Sequence, residues 1–173
     1  LSYILVNKEC IRMAGDLQIL MKQEEELQFP RFDSELAWRL GSWVVTKARK
    51  EKLPIAVDIT VGSRCLFHWS SNGGEVDNER WIERKSRSVM RFGHSSLFLG
   101  RRLMDEGVSA AEKHYVDEKD YAFAGGSFPI RVRGTGLIGT MAVSGLRQED
   151  DHDLVVQALS WILRKQQSVP HLT

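Results

Sequence analysis

The sequence predicts a single α/β domain, more narrowly α+β, in which an antiparallel sheet is flanked by helices. Three observations predict it. Two pairs of short strand-like runs are each joined by a glycine turn, which implies antiparallel hairpins. Segments with apolar residues at three- and four-residue spacing precede, separate and follow those pairs, as helices covering a sheet would. No repeat, linker or low-complexity stretch divides the 173 residues, a length that buries a real core in one domain.

The elements follow in order. Leu17, Leu20, Met21, Glu24 and Leu27 mark a first amphipathic helix with acids on its outer face, stopped by Pro30. Asp33 offers an N-cap to a second helix, with Leu36, Leu40, Trp43, Val44 and Ala48 inward. Lys47, Arg49, Lys50 and Lys52 crowd its last turn, where cations complement the helix dipole, and Pro54 ends it. Ile55–Val61 alternates and is β-branched, Gly62-Ser63 turns it, and Cys65–Trp69 returns with Cys65 as a buried strand residue. Asp77 caps a third helix whose apolar side is Trp81, Ile82, Val89 and Phe92 and whose remainder is basic. Gly93 interrupts it, and Ser95–Met104 forms a short helix with Leu97, Phe98 and Leu103 inward. Residues 105–120 read as a surface loop or irregular helix. Ser127–Arg133 and Leu137–Val143 are the second strand pair, and Asp150 or Asp151 starts a last helix with Leu154, Val155, Ala158, Leu159 and Ile162 inward. The domain thus spans residues 16–167, with 168–173 a frayed tail. Residues 1–15 read as an added or disordered extension, Met13 offering a native start.

Composition excludes several classes. Lys and Arg total 24 against 23 acids, which argues against a nucleic-acid-binding domain. No run approaches the ~20 apolar residues of a membrane helix. Cys10 and Cys65 stand far apart with no zinc-like spacing, so a reducing, cytoplasmic setting is expected.

The motifs that carry chemistry are few. Gly134-Thr135-Gly136-Leu137-Ile138-Gly139 matches a dinucleotide fingerprint in letters only, because strand rather than helix follows it; it reads as a hairpin turn. Gly125-Gly126 either lets the backbone approach a ligand or makes a positive-φ turn. Glu149, Asp150, Asp151 and His152 sit at a strand-to-helix junction. They serve as dipole and cap residues, or they offer oxygen and nitrogen ligands to a metal, with Asp150 and His152 as the candidates; neighbours on a helix diverge too far for all four to face one ion. His94, at a helix break, either ligates haem or metal or caps the preceding helix. Lys85 and Arg91 on the basic stripe can pair with ligand carboxylates, or the stripe is a solvated face. There is no nucleophile elbow.

Five segments together resemble one family: Ile55–Ile59, Asp77–Lys85, Arg91–Ser96, Gly125–Val132 and Gly139–His152. They are similar to the GlcG/HbpS-like haem-degrading superfamily, in its uncharacterised-protein branch, over about residues 16–165. The resemblance implies a profilin-like antiparallel sheet with helices on both faces, and a homo-oligomer. It also implies haem as the cofactor to consider, since some members bind it. Relatives in this branch often carry histidine before the glycine pair; this chain has Ala124, so that position supplies no ligand here. The expected function is an oligomeric small-molecule or haem-binding protein without an assigned reaction. The ligand-binding candidates are His94, His152, Gly125, Gly126, Arg91 and Lys85. The alternatives are a non-catalytic oligomeric adaptor, with Trp81 and the basic helix as contact residues, and a metal-dependent enzyme using Asp150 and His152.

Overall fold

The computed structural model describes residues 15–172. Cys10, Met13 and the rest of the expected N-terminal extension up to residue 14 lie outside the described residues. Helix α1 occupies residues 15–26. It is followed by α2 (Ser34–Glu51), the hairpin β1 (Ala56–Val61) and β2 (Arg64–Ser70), α3 (Asp77–Phe92), α4 (Ser96–Glu106) and α5 (Ala110–His114). The second hairpin, β3 (Ser127–Val132) and β4 (Gly136–Ser144), and α6 (Gln148–Leu163) complete the chain. The strands form one sheet in the order β2-β1-β4-β3, every neighbour antiparallel. This is the expected α+β architecture.

Strand alternation divides the sheet into two unlike faces. Val57 and Ile59 of β1, Met141 and Val143 of β4, and Phe128 and Ile130 of β3 join Leu40, Val44, Leu154, Val155 and Leu159 in the main core beneath α2 and α6. The other face is built of small or polar side chains. Ala56 and Ala142 receive Ile82 of α3, while Thr140, Ser127 and Ser144 are buried beside them. Small residues let α3 lie close to the sheet, and they leave polar groups where that helix meets it.

Several expectations are corrected. Cys65 is exposed, because β2 is the edge strand; its sulfur lies 3.5 Å from the Asp58 carboxylate of β1. On the first helix Leu20 and Leu27 are buried as expected, but Met21 is exposed and the acid Glu24 is buried. The cap before α3 is Val76, with no side-chain hydrogen bond, and Asp77 is already helical. The last helix starts at Gln148, so Asp151 lies a turn inside it. The 105–120 stretch holds a short helix, α5, started by a capping box between Ser109 and Glu112. The tail is docked: Val169 joins the main core, and Gln23 donates to the Pro170 carbonyl at 2.8 Å. At the β3 edge, Phe29 exchanges main-chain hydrogen bonds with Arg131 and Arg133, which covers that edge.

Candidate functional site

One end of the sheet gathers chemistry contributed by three elements. Lys85 lies on the same stripe of α3 as Ile82 and Val89, so it turns toward the sheet rather than toward water. Asp151 lies on the α6 stripe that continues through Leu154 and Val155. The two side chains meet with Lys85 Nζ 3.1 Å from Asp151 Oδ2, at only 3% and 2% exposure. Lys85 also donates to the Val143 carbonyl at 3.2 Å, and Asp151 Oδ1 accepts from the Leu146 N–H at 3.0 Å.

Glycines make this meeting feasible. Gly126 has φ +122°, and a Cβ there would strike the Val143 carbonyl and lie 2.8 Å from Lys85 Nζ. A Cβ on Gly125 would collide with the Gln148 carbonyl. Protein atoms therefore fill the space at the Gly125-Gly126 turn. The pair lets α3 and the start of α6 close around the sheet end.

Burial dominates the electrostatics. It pushes Asp151 up from 3.8 to about 6, against the opposing pull of Lys85 and of backbone N–H groups. It pushes the Lys85 ammonium down, with Asp151 partly restoring it. The pair forms part of a cleft of about 380 Å³, whose lining also includes Asn78, Trp81, Ala124, Ser144 and Gly145. The arrangement can present an ammonium to an anionic group and can exchange a proton near neutral pH.

The other candidates lie elsewhere. His94 Nδ1 is 2.7 Å from Glu24 Oε2, and the other oxygen of Glu24 accepts the Ser95 N–H at 2.7 Å. His94 thus latches α1 to the α3–α4 junction and stacks near Phe98, while Gly93 makes the cap itself. His152 is 1% exposed, and its Nε2 is 2.8 Å from Gln23 Oε1, which makes Nε2 the donor. Its Nδ1 is buried without a hydrogen-bond partner among the described residues, and burial lowers His152 to about 4. Arg91 donates to the Tyr121 hydroxyl at 3.1 Å. Asp150 is an exposed partner of Arg147, so the structure does not bring it to a common point with His152. Among the described residues no cluster of three or more His, Cys, Asp or Glu side chains is placed to hold a metal. Of the other histidines, His68 sits between Asp58 and Glu79, and His114 lies against Phe92.

Sequence reasoning placed Asp151 in a cap or among the ligands offered to a metal, not in a buried pair, and gave no role to Glu24, Gln23 or Asn78 at a site. For Asp151 a signal existed: it is a carboxylate in register with an apolar helical stripe. For Glu24 and Gln23 none did, because their partners are 70 and 129 residues away.

Fold and cleft together define an α+β domain with a four-stranded antiparallel sheet, helices on both faces, and an ion pair buried at one end of the sheet. A family model described as "Haem degrading protein HbpS-like" matches residues 32–160, and the chain belongs to this HbpS-like family. It is 44% identical over 140 residues to a UPF0303 protein of Streptomyces coelicolor, covering 81% of this chain and 89% of that one. It is 40% identical over 147 residues to a UPF0303 protein of Paraburkholderia phytofirmans, covering 85% and 89%. The crystal structure of Ybr137w matches with a TM-score of 0.79 and 32% identity over 86% of this chain and 88% of that one. A PduOC complex with haem shares the fold, with a TM-score of 0.63 at 18% identity over 75% of this chain and 93% of that one.

Proposed function

We propose that this chain is a small-molecule-binding protein whose ligand sits over the Lys85–Asp151 pair, with no reaction assigned. The observation that carries the reading is the pair itself: two charges at 3% and 2% exposure in the wall of an open cleft. A buried ion pair is weak as a stabilising device, so a role in binding is the stronger account of its presence. Haem is the first ligand to test, because the family description names haem and PduOC was solved with it. In this reading Lys85 takes a carboxylate of the porphyrin, with the acids Glu75 and Asp151 also in the cleft wall, and the iron gains no protein ligand there. Among the described residues no His, Cys, Met or Tyr lines it, His94 lies outside it, and His152 is closed in. Lys85 retains a third N–H beyond the two it donates within the protein.

Titration of haem and of metal-free protoporphyrin IX into wild-type protein tests this. Equal affinities are expected, with at least roughly tenfold weaker binding in Lys85→Met, and in Ala124→Glu, which sets a like charge beside the ligand's carboxylates. An imidazole-type Soret shift that disappears in His94→Ala would overturn the frame-and-carboxylate reading. Unchanged affinity in both cleft variants would overturn the site.

A second reading, an oligomeric adaptor, is favoured by a separate surface. Trp38 is 62% exposed beside Trp43 and Trp161, which stack at 6.0 Å, and the Arg39 guanidinium lies 5.8 Å over Trp161. Tryptophan and arginine are enriched in protein interfaces. Light scattering is expected to report a homo-oligomer that Trp38→Glu weakens. A monomer at micromolar concentration removes this reading.

A further inference from the structure

The polar face of the sheet carries a second chemical cluster beneath α3, away from Lys85. Asp58 stands on β1, a central strand, with its side chain 15% exposed. Its register partner His68 on β2 places Nδ1 3.3 Å from Asp58 Oδ2, and His68 Nε2 lies 3.3 Å from Glu79 Oε1 of α3. A β-bulge brings more to the same point. Between Ile59 and Thr60 the pairing skips Leu66, so Thr60 faces Cys65 and the odd spacing from Cys65 to His68 still leaves both on the α3 side. Thr60 donates to Asp58 Oδ1 at 2.7 Å, and the Cys65 thiol lies 3.5 Å from Asp58 Oδ2.

A cavity of about 500 Å³ opens between this part of the sheet and α3. Ile82 and Met90 give it an apolar side. Thr140, opposite Thr60 on β4, lines it at 2% exposure, and its hydroxyl makes no hydrogen bond among the described residues. The charge balance is negative. Three carboxylates line the cavity, those of Asp58, Glu79 and Glu83, against one permanent cation, Arg87. Arg87 is held by Asp120, and Glu83 by Arg80. Asp58 and Glu79 are left with His68 between them and with no lysine or arginine partner among the described residues. An uncharged imidazole has one N–H, so it serves one of these carboxylates and turns a lone pair to the other. Cys65 reports the same field: burial and the Asp58 charge push its thiol up. A half-buried charge without a counter-charge is costly, which makes a cation the complement of this cavity. The acceptors come from both strand and helix beside an apolar wall, and among the described residues they do not converge as metal ligands do; N–H donors on a carbon skeleton match them.

We infer that this cavity is a second binding site, for a small primary ammonium ion, with Asp58, Glu79 and the Thr140 hydroxyl accepting its N–H groups and its carbon chain against Ile82 and Met90. The inference stands apart from the ligand proposed over Lys85 and Asp151, since the two openings share no lining residue.

The test follows the amide NMR signals of Asp58, Glu79 and Thr140 in the full chain as n-butylammonium chloride is added at constant ionic strength, at about pH 8, above the ordinary imidazole range. These signals are expected to shift together and to saturate, with n-butanol at least roughly tenfold weaker because it lacks the charge. Asp58→Asn, which keeps the shape of the side chain, and Glu79→Gln are each expected to weaken butylammonium by roughly fivefold or more, and Thr140→Val by about threefold. Tetramethylammonium, a cation without N–H groups, is expected to bind at least roughly fivefold more weakly. Should n-butanol match butylammonium, or should Glu79→Gln and Thr140→Val both bind it as the wild type does, the site falls, whether or not Asp58→Asn folds. Equal binding of tetramethylammonium removes the N–H assignment. Displacement of butylammonium by an equal concentration of magnesium chloride replaces the amine with a metal ion and overturns the inference.

Discussion

Replacing Lys85 with methionine removes the only ammonium within reach of Asp151 among the described residues while keeping a side chain of similar length. The carboxylate then stays 2% exposed with only backbone N–H groups, those of Leu146 and Gly145, to support it. Breaking a buried pair in this way typically costs about 3–5 kcal/mol. Asp151 limits the loss by taking up a proton: burial already raises it from 3.8 to about 6, and loss of Lys85 raises it further. A loss of about 3 kcal/mol at pH 7 is therefore expected, a fall in Tm of roughly 6–12 °C for a chain of this size. The double variant Lys85→Met/Asp151→Leu is expected to behave oppositely. Its burden is gone from both sides, and apolar replacement of buried pairs is neutral to stabilising by about 1–4 kcal/mol. Asp151 stays raised even with Lys85 beside it, so the attraction within the pair does not make up for the burial of the carboxylate. Urea denaturation of the wild type, both single variants and the double variant, with a common m-value, measures all four corners of the cycle. If Lys85→Met loses less than about 0.5 kcal/mol, or if the double variant is as unstable as the single, the pair is an ordinary structural contact. The reasoning from its burial to a binding role then fails.

Other perturbations probe the surroundings of the cleft. Burial holds His152 down at about 4, below its ordinary 6.5. Its contribution to stability is present above pH 6.5 and is lost as pH falls through 4. Asp151 has the opposite sign, since its folded value is raised: its contribution is present below 3.8 and is lost as pH rises through 6. The two windows overlap and largely cancel. His152→Leu should therefore gain stability on acidification from pH 6.5 to 4, by urea midpoints, whereas the Lys85→Met/Asp151→Leu double variant should lose it more steeply than wild type. Gly126→Ala should cost roughly 3 kcal/mol in the same assay, because its Cβ meets the Val143 carbonyl at a φ of +122° that alanine rarely adopts. Glu24→Ala leaves the Ser95 N–H unpaired and releases His94; a loss of about 2 kcal/mol and faster amide exchange at Ser95 are expected.

Much of the architecture is legible in local pattern. The alternation of Val57 and Ile59 announces their face of β1, and the glycines at Gly134 and Gly136 announce a hairpin rather than a nucleotide loop. The errors arise where position in the sheet or a distant partner decides. Cys65 has a strand residue's surroundings in sequence, but its burial depends on β2 being an edge, which only the pairing order determines. Glu24 carries the mark of a solvated helix acid, and its burial is set by a backbone N–H beyond the end of α3. The cleft lies between these cases. Lys85 keeps step with Ile82 and Val89, and Asp151 with Leu154 and Val155, so each helix carries one charge on its apolar stripe. Two opposite charges of this kind on two helices are a legible hint of a buried pair; which pocket they share is not.

The glycine pair shows why family membership does not settle the ligand. Gly125 and Gly126 are fully explained by the protein's own atoms: the Gln148 and Val143 carbonyls and the Lys85 ammonium occupy the places their side chains would take. They are therefore requirements of the fold around the ion pair, whatever binds beyond it. Ala124 and Trp81, by contrast, line open space, and Arg84 lies over the Trp81 ring. Under the proposed small-molecule reading, the variants that separate ligand choice from folding are therefore those of Ala124, not those of the glycine pair.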